Sequence, residues 1–180
     1  MILPLLLAFA QVATLDGFEN AAAWTAAASD GVTSRVSNVP GATERAMRLS
    51  YDFGAVSGYA FARRALPIDF PANYRMRLKL RGTGGVNDVQ LKFTNASGDT
   101  VWWMQLRNFR PQAEWQDIII RPRDVEFAWG PRTDKTLRKT EAVEIVVVRG
   151  RDGGAGTLEI DDWSFELLPP PTPLPPPRAS

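Results

Sequence analysis

The chain has 180 residues, 44% of them hydrophobic and 23% charged, with a formal net charge of +1. That is about one domain's length, with too much apolar content for a wholly disordered chain and no global field to recruit nucleic acid or an anionic membrane. It contains no His and no Cys, which excludes histidine relays, thiolate nucleophiles, disulfides and imidazole or thiolate metal sites, so any bound metal must be held by oxygen.

In chain order the first feature is the apolar run Ile2–Ala10. It is too short to cross a bilayer, which takes about 20 residues. Its length suits the core of a secretory signal, and Ala8-Phe9-Ala10 fits a small-x-small cleavage site. No Lys or Arg precedes it, so an ordinary buried strand is the alternative. Residues 1–13 are read as the remnant of a signal peptide, which implies a secreted or periplasmic protein.

From there the dominant period is two. Short strands are expected at Thr14–Glu19 and Val32–Ser37, and longer ones at Ala46–Phe53 and Tyr59–Arg64. Tyr74–Arg81 alternates without a break, as does Val89–Thr94. Such alternation turns one face to a core and the other to water. Val101–Arg107, Trp115–Arg121, Ala142–Arg149 and Gly156–Phe165 complete the set. Between them stand turn formers such as Pro40-Gly41, Ser97-Gly98-Asp99, Gly130-Pro131 and Asp152-Gly153-Gly154. The alanine-rich Ala21–Ala28 is expected to make a helical turn. Roughly ten strands without a long helical pattern predict an all-β fold, a two-sheet antiparallel sandwich over residues 14–168.

The end of the chain, 169–180, holds 7 of the 14 prolines. It reads as extended polyproline, a stiff linker to something further on, with a PxxP ligand for an aromatic groove as the other reading.

Alternation also says which side chains face out. In Val101–Arg107 the apolar Trp102, Met104 and Leu106 are expected in the core. Trp103, Gln105 and Arg107 then point the other way, an indole, an amide and a guanidinium in one row. Trp24, Trp115 and Trp163 are expected at strand ends or sheet edges, and Arg75, Arg77 and Lys79 on a solvated basic row of the other sheet.

Several segments together resemble a known family. Leu15-Asp16-Gly17-Phe18-Glu19 resembles an opening "DxFE" strand. Met47–Phe53, Ser57-Gly58-Tyr59, Val101-Trp102-Trp103 and Phe127–Pro131 follow in order. Gly156–Asp162 resembles a closing "GxxxIDD" strand. In order and spacing the chain resembles carbohydrate-binding modules of the galactose-binding-like jelly-roll type. These include family-11-like modules and the N-terminal domains of bacterial coagulation factor 5/8 type proteins with glycosidase-like domains. The resemblance implies a jelly roll and a non-catalytic polysaccharide- or oligosaccharide-binding module. It also implies a targeting role within a longer glycan-degrading protein, with a catalytic domain that this chain does not contain.

Sugar rings offer apolar C–H faces and a rim of hydroxyls, so a sugar site needs aromatic platforms flanked by multidentate polar groups. On that chemistry the candidate ligand-binding residues are Tyr59, Gln90, Lys92, Trp103, Gln105 and Arg107. Glu144 is a further acceptor, and Trp129 closes one rim from the loop Phe127–Pro131. The other readings stay open: Trp103 covered by a loop or by a neighbouring domain, Trp129 packed against Phe127 and Pro131, or a protein-interaction surface on the same fold. The resemblance further implies a structural calcium where the first and last strands meet. Its acids here are Glu19, Asp161 and Asp162, completed by carbonyls around Gly41–Arg45, the alternative being acids that accept turn hydrogen bonds. Glu126, Glu141 and Glu144 are available for acid–base chemistry, but no motif selects a catalytic pair.

Overall fold

A computed structural model describes residues 11–170. The signal-peptide reading of Ile2–Ala10 and most of the proline-rich segment fall outside these residues. Among the described residues there are twelve strands and no α-helix.

The chain opens with β1 (Val12–Asp16), then a 3-10 turn at Ala21–Ala23 and β2 (Thr25–Ala28). The expected helical turn therefore covers only the first half of the alanine-rich stretch. Asn20 caps it by accepting the Ala22 N–H at 3.1 Å, and Trp24 leaves it in extended backbone. Asp16 organises this corner. Its Oδ1 accepts the Phe18 N–H at 2.7 Å, and its Oδ2 accepts the Trp24 indole N–H at 2.9 Å and pairs with Arg64. Strand β1 begins at Val12, inside the stretch assigned to the signal remnant, because Val12 and Ala13 pair with Glu166 and Phe165 of the last strand.

The remaining strands are β3 (Thr33–Pro40), β4 (Arg45–Asp52), β5 (Tyr59–Asp69), β6 (Tyr74–Thr83), β7 (Asn87–Thr94), β8 (Val101–Phe109), β9 (Gln116–Ile120), β10 (Glu126–Trp129), β11 (Lys139–Val148) and β12 (Ala155–Leu167). They form two six-stranded sheets. The first runs β3-β4-β12-β6-β9, with β1 also on β12; the second runs β10-β8-β7-β11-β5-β2. All the pairings are antiparallel. Strand β12 has room for two partners on one side because it is long: β4 takes its first half and β1 its second.

Alternation delivers the core. Strand β6 turns Tyr74, Met76, Leu78 and Leu80 inward, and β8 turns Trp102 and Met104 inward. With Phe93, Val143, Ile145, Val147, Leu158 and Ile160 they make one buried cluster between the sheets. Trp163 lies in the middle of it, 1% exposed, not at a sheet edge as expected. Trp24 is also core, stacked on Phe18 at 5.4 Å. Only Trp115 keeps to an edge, at the start of β9 and half-buried.

Candidate functional site on the outer face of the second sheet

Strand register builds this surface. Residues directly opposite one another on neighbouring antiparallel strands share a face. On the second sheet, Glu126 pairs with Trp103, Trp103 with Lys92, Lys92 with Glu144, Glu144 with Arg63 and Arg63 with Thr25. This single row crosses all six strands. The next row is Gln105, Gln90, Val146, Phe61 and Ala27. Beyond it Asp88 and Tyr59 flank Val148, with Arg107 on the neighbouring strand. All eight candidate ligand-binding residues therefore come to one face. The reason is that β5, β11, β7, β8 and β10 are contiguous in the sheet, so their outward positions add together.

The aromatic groups gather at two ends. At one, Trp103 and Trp129 meet edge to face, with centroids 5.4 Å apart and planes at 85°. At the other, Tyr59 and Phe61 lie 6.1 Å apart. Tyr59 is 46% exposed and Trp129 43%, so both offer ring surface to solvent. Trp129 is not on a loop. It ends strand β10, whose pairing with β8 shifts between Phe127 and Trp129. Simple alternation would place Trp129 on the same inward side as Phe127, which packs on Trp102 at 5.6 Å. The extra residue of the bulge turns the second ring outward. The glycine that follows is needed here. Gly130 has φ +140, and a Cβ there would stand 2.8 Å from the Thr100 Cα.

The polar groups are held in place by one another. The Trp103 indole N–H donates to Glu126 Oε1 at 3.0 Å, and the Gln105 amide donates to the same oxygen at 3.3 Å. Gln90 donates to Gln105 Oε1 at 3.4 Å. Glu144 is not a free acceptor: its Oε1 takes the Arg63 guanidinium at 2.5 Å. Arg63 also reaches Thr94 Oγ1 and the Ala96 carbonyl. The Lys92 ammonium stands 5.2 Å from the Trp129 ring centroid, a cation–π geometry. Burial among these rings lowers the Lys92 pKa, and the Glu144 charge opposes that shift.

The sequence pattern missed Phe61, Arg63 and Glu126 as members of this face. Phe61 and Arg63 were legible in principle, since they continue the alternation that begins at Tyr59. Glu126 was not, because β10 is too short to announce itself by periodicity.

The three acids assigned to calcium do gather at one turn, between β3 and β4. Asp161 is fully buried. Its Oδ2 accepts the Ala42 and Thr43 N–H groups at 2.7 and 3.1 Å, and its Oδ1 accepts the Asp162 N–H at 2.7 Å. Asp162 accepts the Thr43 hydroxyl, and Glu19 accepts the Arg45 N–H at 3.1 Å. Among the described residues no three acidic side chains converge as a metal requires. Three backbone N–H groups are directed at Asp161. As placed, the acids cap the turn. Burial raises the Asp161 pKa against the pull of those N–H groups.

No family model matches the chain, and no curated protein sequence matches it significantly. Solved structures do match. One is the family 11 carbohydrate-binding module from Clostridium thermocellum in complex with a β-1,3-1,4-mixed-linked tetrasaccharide. The TM-score is 0.69 at 18% identity, over 86% of this chain and 94% of that one. The family 11 module of a cellulosomal cellulase of the same organism matches with a TM-score of 0.68 at 17% identity, over 86% and 94%. The fold is the jelly roll of these modules. It is also found within larger chains: the Endo-D glycoside hydrolase domain from Streptococcus pneumoniae R6 matches with a TM-score of 0.53 at 11% identity. That match covers 79% of this chain but 21% of the other.

Proposed function

We propose that this chain is a non-catalytic glycan-binding module, which lays a polysaccharide across the outer face of the second sheet. The observation that carries the reading is the row Glu126–Trp103–Lys92–Glu144–Arg63, with an aromatic pair at each end of the face. Indole and phenol rings stack on the C–H faces of sugar rings, while the amides, Lys92 and Arg107 bond the hydroxyls. Glu126 holds Trp103 and Gln105, and Arg63 holds Glu144. A site so fixed loses little conformational freedom on binding. The face carries Asp88, Glu126 and Glu144 against Arg63, Lys92 and Arg107, so its charges cancel. That balance favours a neutral glycan. The face crosses the whole sheet and runs off both edges, which suits the interior of a chain.

On this reading the module works outside the cytoplasm and delivers a glycan-degrading protein to its substrate. The presence of the same fold inside a much larger hydrolase chain supports that role. The test is affinity electrophoresis of the full chain through gels carrying soluble polysaccharides. The panel includes β-1,3-1,4-mixed-linked glucan, other neutral glycans and an acidic polymer. Retardation by a neutral glycan is expected. Unretarded migration in every gel overturns the reading, and the exposed aromatics are then a surface for a protein partner.

A further inference from the structure

We propose that the opposite face of the molecule, the outer face of the first sheet, holds a second site, one that takes an acidic sugar. This inference does not depend on the site above.

The proposed site is an open cavity of about 250 Å³ lined by Arg48, Arg81, Gly82, Thr83, Ala113 and Glu159. Register brings the groups together: Arg48 on β4 pairs with Glu159 on β12, which pairs with Arg81 on β6. Glu159 is only 4% exposed. Its Oε1 accepts both Nε and Nη2 of Arg48 at 2.8 and 2.6 Å, and its Oε2 accepts Arg81 Nε at 2.5 Å. Arg81 is held from two further sides. Its Nη2 donates to the Pro40 carbonyl at 3.0 Å, and the guanidinium lies 4.4 Å from the Trp115 ring centroid.

Two features distinguish this cluster from an ordinary surface ion pair. It has an excess of positive charge, with two guanidiniums around one carboxylate. A third, Arg35, follows in the adjacent row, where its pairing with Ser50 leads on to Thr157 and Thr83. It also has unused donors. Neither Arg48 Nη1 nor Arg81 Nη1 makes a hydrogen bond among the described residues, although both guanidiniums are fixed in place and line the cavity. A buried carboxylate that orients two arginines, and leaves their outer N–H groups free, presents a rigid fork for a planar anion. Beside the fork, the Thr83 and Thr157 hydroxyls, 3.0 Å apart, offer neutral donors and acceptors. Guanidinium groups beside hydroxyls, in a cavity smaller than a drug-sized pocket, match a carboxylate on a hydroxylated ring. That ligand is a uronic acid, free or as one unit of an acidic polysaccharide.

The test is a titration of the full chain with sodium glucuronate, followed by amide and indole N–H resonances. Glucose, sodium acetate and sodium chloride serve as parallel arms at matched ionic strength. Saturable shifts are expected at Gly82, Thr83, Ala113 and the Trp115 indole, with acetate binding more weakly and glucose and chloride giving none. Arg48→Gln is expected to weaken binding about tenfold, as loss of a charge-assisted hydrogen bond does. Thr83→Val leaves the ion network whole and is expected to weaken it several-fold, so the test survives if Arg48→Gln fails to fold. Trp103→Ala is expected to leave glucuronate binding unchanged, which separates this site from the other face. The proposal is overturned if no resonance in this cavity saturates, if glucose or chloride shifts it equally, or if acetate binds as tightly as glucuronate. It is also overturned if the folded variants bind like the unaltered chain.

Discussion

The outer faces of the two sheets start from the same device, strands that alternate apolar with polar residues, and end as different surfaces. On the first sheet the outward groups are long charged side chains, and most meet an opposite charge on the next strand: Arg75 with Glu166, Lys79 with Asp117, Arg48 and Arg81 with Glu159. On the second sheet the outward groups include four aromatic rings and two amides, and the edge-strand carboxylate Glu126 holds N–H groups of an indole and an amide. An ion-paired face meets most of its own electrostatic needs and is well solvated, and it keeps donors for a ligand only where two arginines share one carboxylate, at Arg48 and Arg81 on Glu159. An aromatic face leaves ring area in water, which is costly unless something covers it. The difference teaches that alternation only sets which side chains face out. Their chemistry decides whether that surface is finished or waits for a ligand.

Substitutions that touch one face and leave the other alone break this comparison into parts. The largest effect is expected from Trp103→Ala. It removes one ring of the Trp103–Trp129 pair and should weaken glycan retardation roughly tenfold to hundredfold, as loss of an aromatic anchor does. The melting temperature should barely move, because Trp103 lies outside the core. Equal losses of retardation and stability would show that the ring is a packing element. Next is Glu159→Ala, with the reverse signature. Fully buried ion pairs lose about 3–5 kcal/mol when one partner is removed. With Arg48 and Arg81 each about a third exposed, a loss of about 2 kcal/mol is expected in chemical denaturation. Neutral-glycan retardation should be unchanged.

Glu126→Gln is expected to act more mildly and only on the second face. The amide keeps an oxygen for Trp103 but loses the charge that strengthens both bonds. Retardation should fall several-fold at constant stability. An unaltered gel shift would mean that Trp103 needs no support.

Lys92 gives a pH signature. Its pKa is lower folded than unfolded, chiefly by burial. Between those two values the unfolded chain binds more protons, so stability rises with pH through the window below the ordinary lysine pKa. At neutral pH the charged ammonium is a net cost. Lys92→Met should therefore raise the melting temperature slightly at pH 7 and flatten this alkaline rise. A lower melting temperature would mean that the cation–π contact with Trp129 outweighs desolvation. The smallest effect is expected from chelation. With Asp161 satisfied by three backbone N–H groups, a chelator should leave the melting temperature unchanged. A fall of several degrees would restore calcium to the β3–β4 turn.

Much of this was legible along the chain. Tyr74–Arg81 and Val89–Thr94 alternate so cleanly that β6 and β7 follow from them, with the inward set Met76, Leu78, Leu80, Leu91 and Phe93. The outward assignment of Trp103, Gln105 and Arg107 follows in the same way. Strands β2 and β10 were not legible. Each is four residues long, one hidden in an alanine-rich stretch and the other in what reads as a loop. The fate of Trp163 was also hidden. A bulge in β12 between Asp161 and Ser164 sets its side, and one strand's pattern does not reveal its neighbours.

The sequence by itself determined the class of fold and the face of nearly every residue in the long strands, because a period of two is a local property. Only the tertiary structure decided which strands are neighbours, and so which outward residues share a row. It brought Trp103, Lys92, Glu144 and Arg63 into line from four separated segments. It turned Trp129 outward through one extra residue, and it directed backbone N–H groups onto Asp161. These are matters of register and bulge, set by how many residues lie between paired positions on distant strands, and no window along a single strand contains that number.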